Sequence, residues 1–211
     1  MSKFATEAIG AFFLVLTIGL TTVEPGGAGA LAPLAIGMIL TIMVYAGGRI
    51  SGAHYNPAVT LAVFIRGKCP AVDVVPYIVA QIAGAALAAL VVPFLKPQGK
   101  FEIHDHDLTQ LLIAEALFTF ALAYVVLCVA TADDVQGNSY YGLAIGMTVM
   151  VGAFSVGPIS GGIFNPAVAV GLGLMKLISW GQSWAPIAAE FAGAAAAALA
   201  FRALNSGAKS A

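Results

Sequence analysis

Charge is what this sequence has least of: nine basic and ten acidic residues among 211, or 9%, against about 25% in an ordinary soluble domain. With 60% of its residues apolar, a water-soluble fold would lack the polar surface needed to stay dispersed. The few charges gather between long apolar blocks, as a bilayer demands, because an ionisable group at its centre costs at least ~2.5 kcal/mol. The membrane is therefore the solvent. A net charge of −1 offers no basic surface, which argues against nucleic acid as a partner. Cysteine is equally scarce. Cys69 and Cys128 are too few for a disulfide framework and lack metal-ligand spacing, so both read as packing residues, and neither a metal nor a cofactor is expected. No nucleophile and base fall together within the apolar blocks, which argues against an enzyme.

What is present is hydrophobic length. A transmembrane helix needs about 20 mainly apolar residues, and six segments qualify, approximately 5–23, 32–49, 72–94, 108–131, 140–158 and 184–204. The first, behind Lys3, imitates a signal peptide, and Ala28-Gly29-Ala30 resembles a cleavage site. Glu7 at its mouth has a counterpart in the second half of the chain, which assigns the segment to the fold. Two more apolar stretches, after Asn56 and Asn165, run only about ten residues before Arg66 or Lys176. At ~1.5 Å per residue each makes a helix of about 15 Å, half the ~30 Å hydrocarbon core.

The chain is a single domain, 1–211, that repeats internally, approximately as 1–97 and 107–211. Ile50-Ser51-Gly52-Ala53-His54-Tyr55-Asn56-Pro57-Ala58-Val59 matches Ile159-Ser160-Gly161-Gly162-Ile163-Phe164-Asn165-Pro166-Ala167-Val168. The same offset pairs Leu34-Ala35-Ile36-Gly37 with Leu143-Ala144-Ile145-Gly146, and Gln81 with Glu190; Glu7 and Glu115 slip by one residue. Each half holds three spans, an odd number, so the halves enter the membrane from opposite sides and form an inverted repeat. Lys3, Arg49, Arg66, Lys68, Arg202 and Lys209 fall on one side; Lys96, Lys100 and Lys176 fall on the other. The richer side is read as cytoplasmic, with both termini inside and the plasma membrane as the expected location.

Asn-Pro starts a helix, because Asn accepts from free backbone donors and Pro at the first helical position loses no needed hydrogen bond. Inverted symmetry then sets the two half-helix starts, Asn56-Pro57-Ala58 and Asn165-Pro166-Ala167, face to face near the membrane centre. Each presents roughly +0.5 elementary charge, which repels cations and hydronium. A neutral molecule feels little of that field and can accept a hydrogen bond from either Asn amide. The non-helical residues before each Asn are tolerated at membrane depth only where they face protein or a water-filled cavity. Gly52, Ala53, His54, Gly161, Gly162 and Ile163 are therefore candidate pore carbonyls.

Through Ser51-Gly52-Ala53-His54-Tyr55-Asn56-Pro57-Ala58-Val59-Thr60 and the second Asn165-Pro166-Ala167, the sequence resembles the aquaporin family of major intrinsic proteins over nearly its whole length. The resemblance implies an all-α membrane protein with the hourglass fold: six tilted helices, two re-entrant half-helices, one pore per protomer, and a homotetramer in the lipid bilayer. It assigns Glu7 and Glu115 to supporting the re-entrant loops; a proton relay is the alternative for intramembrane carboxylates. It also places a four-residue filter at Ile36, Ala153, Gly162 and Val168. In a water-selective member these are a Phe, a His, a small residue and an Arg.

Replacing ring, imidazole and guanidinium by Ile, Ala and Val widens the constriction and removes its fixed positive charge. The expected function is a passive channel for water and small uncharged solutes, with glycerol, urea and ammonia as candidates. A strictly water-selective channel is the alternative, if other side chains refill the space. Glycerol-facilitating relatives usually keep the Arg and often place an Asp after it, so Ala169 argues against that branch. From another class, a secondary transporter also uses inverted repeats and broken helices, but it needs midplane acids or bases, and only His54 lies there. His104-Asp105-His106-Asp107 reads as a solvated loop, with metal binding or a pH-sensitive lid as alternatives. Asp133 and Asp134 read as a solvated turn, and Gly84 with Ala88 and Gly193 with Ala197 as close helix contacts.

Overall fold

A computed structural model describes residues 1–101 and 106–205; His104 and Asp105 lie outside them. Among the described residues the regular structure is helical throughout. The order is α1 (Ser2–Thr22), α2 (Ala32–Ser51), α3 (Pro57–Ile65), α4 (Ala71–Leu95), α5 (Leu108–Ala130), α6 (Tyr141–Ser160), α7 (Pro166–Leu174) and α8 (Trp180–Asn205). Six of these, all but α3 and α7, are long and apolar enough to cross a membrane. Several outrun the apolar segments expected from sequence: α1 begins at Ser2 and α8 at Trp180. Apolarity marks the hydrocarbon depth, whereas a helix continues past it wherever its backbone hydrogen bonds are satisfied.

The half-helices α3 and α7 have nine residues each, about 13 Å at ~1.5 Å per residue. Their starts are set by local chemistry. Asn56 is extended (φ −155°), and its Oδ1 accepts from the N–H groups of Ala58 (2.8 Å) and Val59 (3.3 Å). Asn165 (φ −157°) accepts from the N–H of Ala167 at 3.0 Å. Pro57 and Pro166 fill the first helical positions, where a missing N–H costs nothing.

Packing repeats with the sequence. Helix α4 lies along α1 and α8 along α5, while α2 and α6 meet each other across the pseudo-symmetry axis. Little hydrophobic force acts between helices in lipid, so close backbone approach supplies much of the attraction. Gly84 makes this concrete: a Cβ built on it would overlap the carbonyl oxygen of Ala8, and one on Gly193 would overlap that of Ala116. Ala88 and Ala197, one turn on, are fully buried. Large apolar side chains such as Leu90, Phe94, Leu117 and Leu199 remain exposed on the outer faces, as lipid solvation permits.

Candidate channel and its supporting network

Between α2 and α3, and again between α6 and α7, the chain leaves the helix for a few residues. Both departures begin with a left-handed glycine, Gly52 (φ 87°) and Gly161 (φ 91°). Left-handed backbone recurs at Ala53 (φ 53°), Tyr55 (φ 51°), Gly162 (φ 65°) and Phe164 (φ 50°). For the three with a side chain this costs roughly 1–2 kcal/mol each, so the conformation needs external support.

Two buried carboxylates supply it. Glu7, on α1, accepts from Ser51 Oγ (2.6 Å) and the His54 N–H (3.0 Å) on Oε1, and from the Tyr55 N–H (2.6 Å) and Gln81 Nε2 (2.8 Å) on Oε2. Glu115, on α5, repeats the pattern: Ser160 Oγ (2.6 Å) and the Ile163 N–H (3.0 Å) on Oε1, the Phe164 N–H (2.7 Å) on Oε2. Ser51 and Ser160 in turn accept from the N–H groups of Ala53 (3.0 Å) and Gly162 (3.2 Å). With the loop N–H groups drawn towards these acceptors, the loop carbonyls are left for the opposite side.

The half-helix starts are tied across the symmetry axis. Asn56 Nδ2 donates to the Phe164 carbonyl at 2.8 Å, and Asn165 Nδ2 donates to the Tyr55 carbonyl at 2.9 Å. Each amide has a second N–H, and both Asn side chains border a narrow cavity of about 70 Å³. At ~10–15 Å³ per water this holds roughly five waters.

The structure brings most of the sequence-derived candidates to this one cavity. Ile36, Ala153, Gly162 and Val168 all line it, as do Ala53, His54, Gly161 and Ile163. Gly162 sits against Ala153, whose Cα is 3.3 Å from where a Cβ would be. Gly52 does not line this cavity; it borders a wider one of about 380 Å³, with Gly48, Asn138 and Tyr141, which meets the first at Ile145. The rest of the narrow wall is aliphatic, including Leu14, Leu40, Val59, Leu122, Val126, Val149 and Leu172. Among the described lining residues His54 is the one ionisable group, its Nδ1 3.1 Å from Thr60 Oγ1. Pro57, Ala58, Pro166 and Ala167 are buried behind the cavity wall.

Sequence reasoning gave no role to Gln81 and Glu190, although both are fully buried. Gln81 Nε2 joins Glu7 to Thr60 Oγ1 (3.0 Å), and Glu190 Oε1 accepts from the Asn165 N–H at 2.9 Å. A signal was present: two polar residues occupy equivalent places in spans that are otherwise apolar. Of the histidine-aspartate loop, His106 is described, with its ring beside Gly161. Asp133 lies at the surface, paired with Lys68 at 3.0 Å. Cys69 and Cys128 form no disulfide.

The sequence profile of the family described as Major intrinsic protein matches residues 34–201. A probable NIP-type aquaporin of Nicotiana alata is 34% identical over 214 residues, covering 98% of this chain and 78% of that relative. Aquaporin NIP1-4 of Oryza sativa subsp. japonica is 36% identical over 216 residues, covering 95% of this chain and 76% of the relative. Among solved structures, the aquaglyceroporin from Plasmodium falciparum superposes with a TM-score of 0.78 over 94% of this chain and 93% of its own, at 22% identity, and so shares the fold. Opposed, Asn-capped half-helices around a narrow cavity, six spans and a family match across most of the sequence agree: this chain belongs to the major intrinsic protein family, and is a multi-pass membrane channel rather than an enzyme.

Proposed function

We propose that this chain conducts water and small uncharged solutes, with glycerol, urea and ammonia as candidates, through a wide apolar filter formed by Ile36, Ala153, Gly162 and Val168. One observation carries the reading: those four residues border the same cavity as the Asn56 and Asn165 amides, and none of them bears a charge or a side-chain donor. A solute passing them loses water without gaining side-chain hydrogen bonds, so the constriction selects by size more than by polarity. Carbonyls of Ala53, His54, Gly161, Gly162 and Ile163 then offer acceptors along the track, with Gly52 at its wider end, and the two Asn amides offer donors at its middle. Cations are opposed by the half-helix dipoles, each roughly +0.5 elementary charge. Glu7 and Glu115 act as loop supports, since their bonds are to loop donors and not to the cavity. A coupled transporter is disfavoured because His54 is the single ionisable residue in the described lining. Assembly as a homotetramer in a plasma membrane, both termini cytoplasmic, fits the family resemblance and the excess of basic residues on one side.

Stopped-flow light scattering on proteoliposomes tests this, with water, glycerol, urea and ammonia gradients applied in turn. Flux of water with at least one of the other solutes is expected; permeability to water alone would establish the strictly water-selective alternative. Val168→Arg restores a fixed charge and a long side chain to the wall, and should reduce solute flux more than water flux. Equal solute flux in variant and parent would remove Val168 from the constriction.

A further inference from the structure

The two halves differ at one buried point. Glu7 is met on all four acceptor sites by donors, the fourth being the Gln81 amide. A carboxylate has about four such sites, so Glu7 is ionised and Gln81 completes its shell. In the second half, Glu115 is met by Ser160 Oγ, the Ile163 N–H and the Phe164 N–H. The residue in Gln81's place is Glu190, on the helix α8 that packs along α5, and its buried Oε2 has no hydrogen-bond partner. A bond from Glu190 to Glu115 like the one from Gln81 to Glu7 needs a proton on one of the two carboxyls, because two ionised carboxylates have no hydrogen to give.

Among the described residues, no ion pair offsets a charge on either carboxyl. Both side chains are fully buried. Helix α8 packs on α3, α5 and α7; α3 and α7 carry no titratable residue, and on α5 Glu115 is the one carboxyl. His106, before α5, lies beside Gly161, and Arg202 lies in the last turn of α8, three turns from Glu190. The hydrogen bonds also distinguish which carboxyl holds the proton. Each Glu115 oxygen is already an acceptor. Glu190 Oε1 accepts from the Asn165 N–H, while its buried Oε2 has no hydrogen-bond partner and is free to carry the proton.

We infer that Glu190 is protonated at neutral pH and serves as a neutral positioning residue, its O–H donating to Glu115 as the Gln81 amide donates to Glu7, while its other oxygen holds the backbone of Asn165. Each half of the channel then carries one buried negative charge behind its re-entrant loop. The fields of the two half-helix starts stay balanced, and no second carboxylate draws cations towards Asn165.

Infrared spectroscopy of the full chain in lipid at neutral pH tests this directly. The parent should show the C=O stretch of a protonated carboxylic acid, and Glu190→Gln should abolish it. Glu190→Gln should retain parental water permeability, because an amide donates and accepts in the same places, whereas Glu190→Leu should lose it on the order of tenfold. Gln81→Glu should add a second protonated-acid band by building the same pair in the first half. Absence of the band in the parent, its persistence in Glu190→Gln, a Glu190→Gln permeability as low as that of the Leu variant, or no added band in Gln81→Glu would each overturn the inference. The infrared arms depend neither on the transported solute nor on the stability of the Leu variant.

Discussion

Glu7→Gln exchanges one carboxylate oxygen for an NH2 group, and its cost can be worked from the four donors around Glu7. In either amide orientation the new NH2 faces two of them, Ser51 Oγ with the His54 N–H, or the Tyr55 N–H with Gln81 Nε2. Ser51 can rotate its hydroxyl, and Gln81 can turn to present Oε1, which has no partner in the native fold. The backbone cannot turn. One loop N–H, of His54 or Tyr55, is left facing a hydrogen, at a cost of about 1–3 kcal/mol. The bonds that survive lose their charge assistance, roughly 1 kcal/mol each. The total is about 3–5 kcal/mol, a hundredfold or more in the equilibrium between formed and disrupted loop. It acts on a segment that already holds Ala53 and Tyr55 at positive φ. Stopped-flow water permeability per reconstituted protein, together with hydrogen exchange at His54 and Tyr55, measures it: both permeability and protection should fall steeply. A Glu7→Gln channel with parental permeability and protection would refute the assignment of loop support to Glu7. The contrast is internal to the molecule, since the same substitution at Glu190 is expected to be silent.

Gly84→Val should lower the thermal midpoint in detergent sharply and reduce folded yield, because a side chain there meets the Ala8 backbone; an unchanged midpoint would mean that α1 and α4 do not approach closely in solution. Planar bilayers should carry little sustained proton current despite the absence of a filter Arg, since the opposed half-helix dipoles remain; a large current would show that they are insufficient. At the surface, the hydrogen bond from Lys68 holds the Asp133 carboxyl below its ordinary range. The stabilisation it confers is present above the unfolded carboxylate value and is lost as pH falls through the lowered one. Asp133→Asn should therefore flatten the acid limb of the stability profile slightly while leaving neutral-pH permeability unchanged, and a large neutral-pH effect would argue for more than a screened surface pair.

The half-helices were legible because their determinants are neighbours in sequence. Asn56 caps the N–H groups two and three positions on, Asn165 caps the one two positions on, and Pro57 and Pro166 preset the first turn, so both starts are set within one turn of chain. The spans were legible through length and apolarity, though their ends were not. The Trp180–Ser183 turn is too polar to count as hydrocarbon-spanning, yet helical hydrogen bonding continues through it. The convergence of Ile36 and Ala153 with Gly162 and Val168 came from family resemblance, because it depends on how far α2 and α6 are rotated about their axes.

What the sequence by itself determined is the solvent, the number of spans, the inverted repeat and the two helix starts: all are properties of hydrophobic length, parity and local capping. The tertiary structure alone decided what lies behind the loops. Gln81 and Glu190 are ordinary polar interruptions until α4 is laid along α1 and α8 along α5, when one meets Glu7 and the other meets the backbone of Asn165. A buried hydrogen bond is specified by the separation and rotation of two helices, and neither quantity is written in the spacing of residues along one of them.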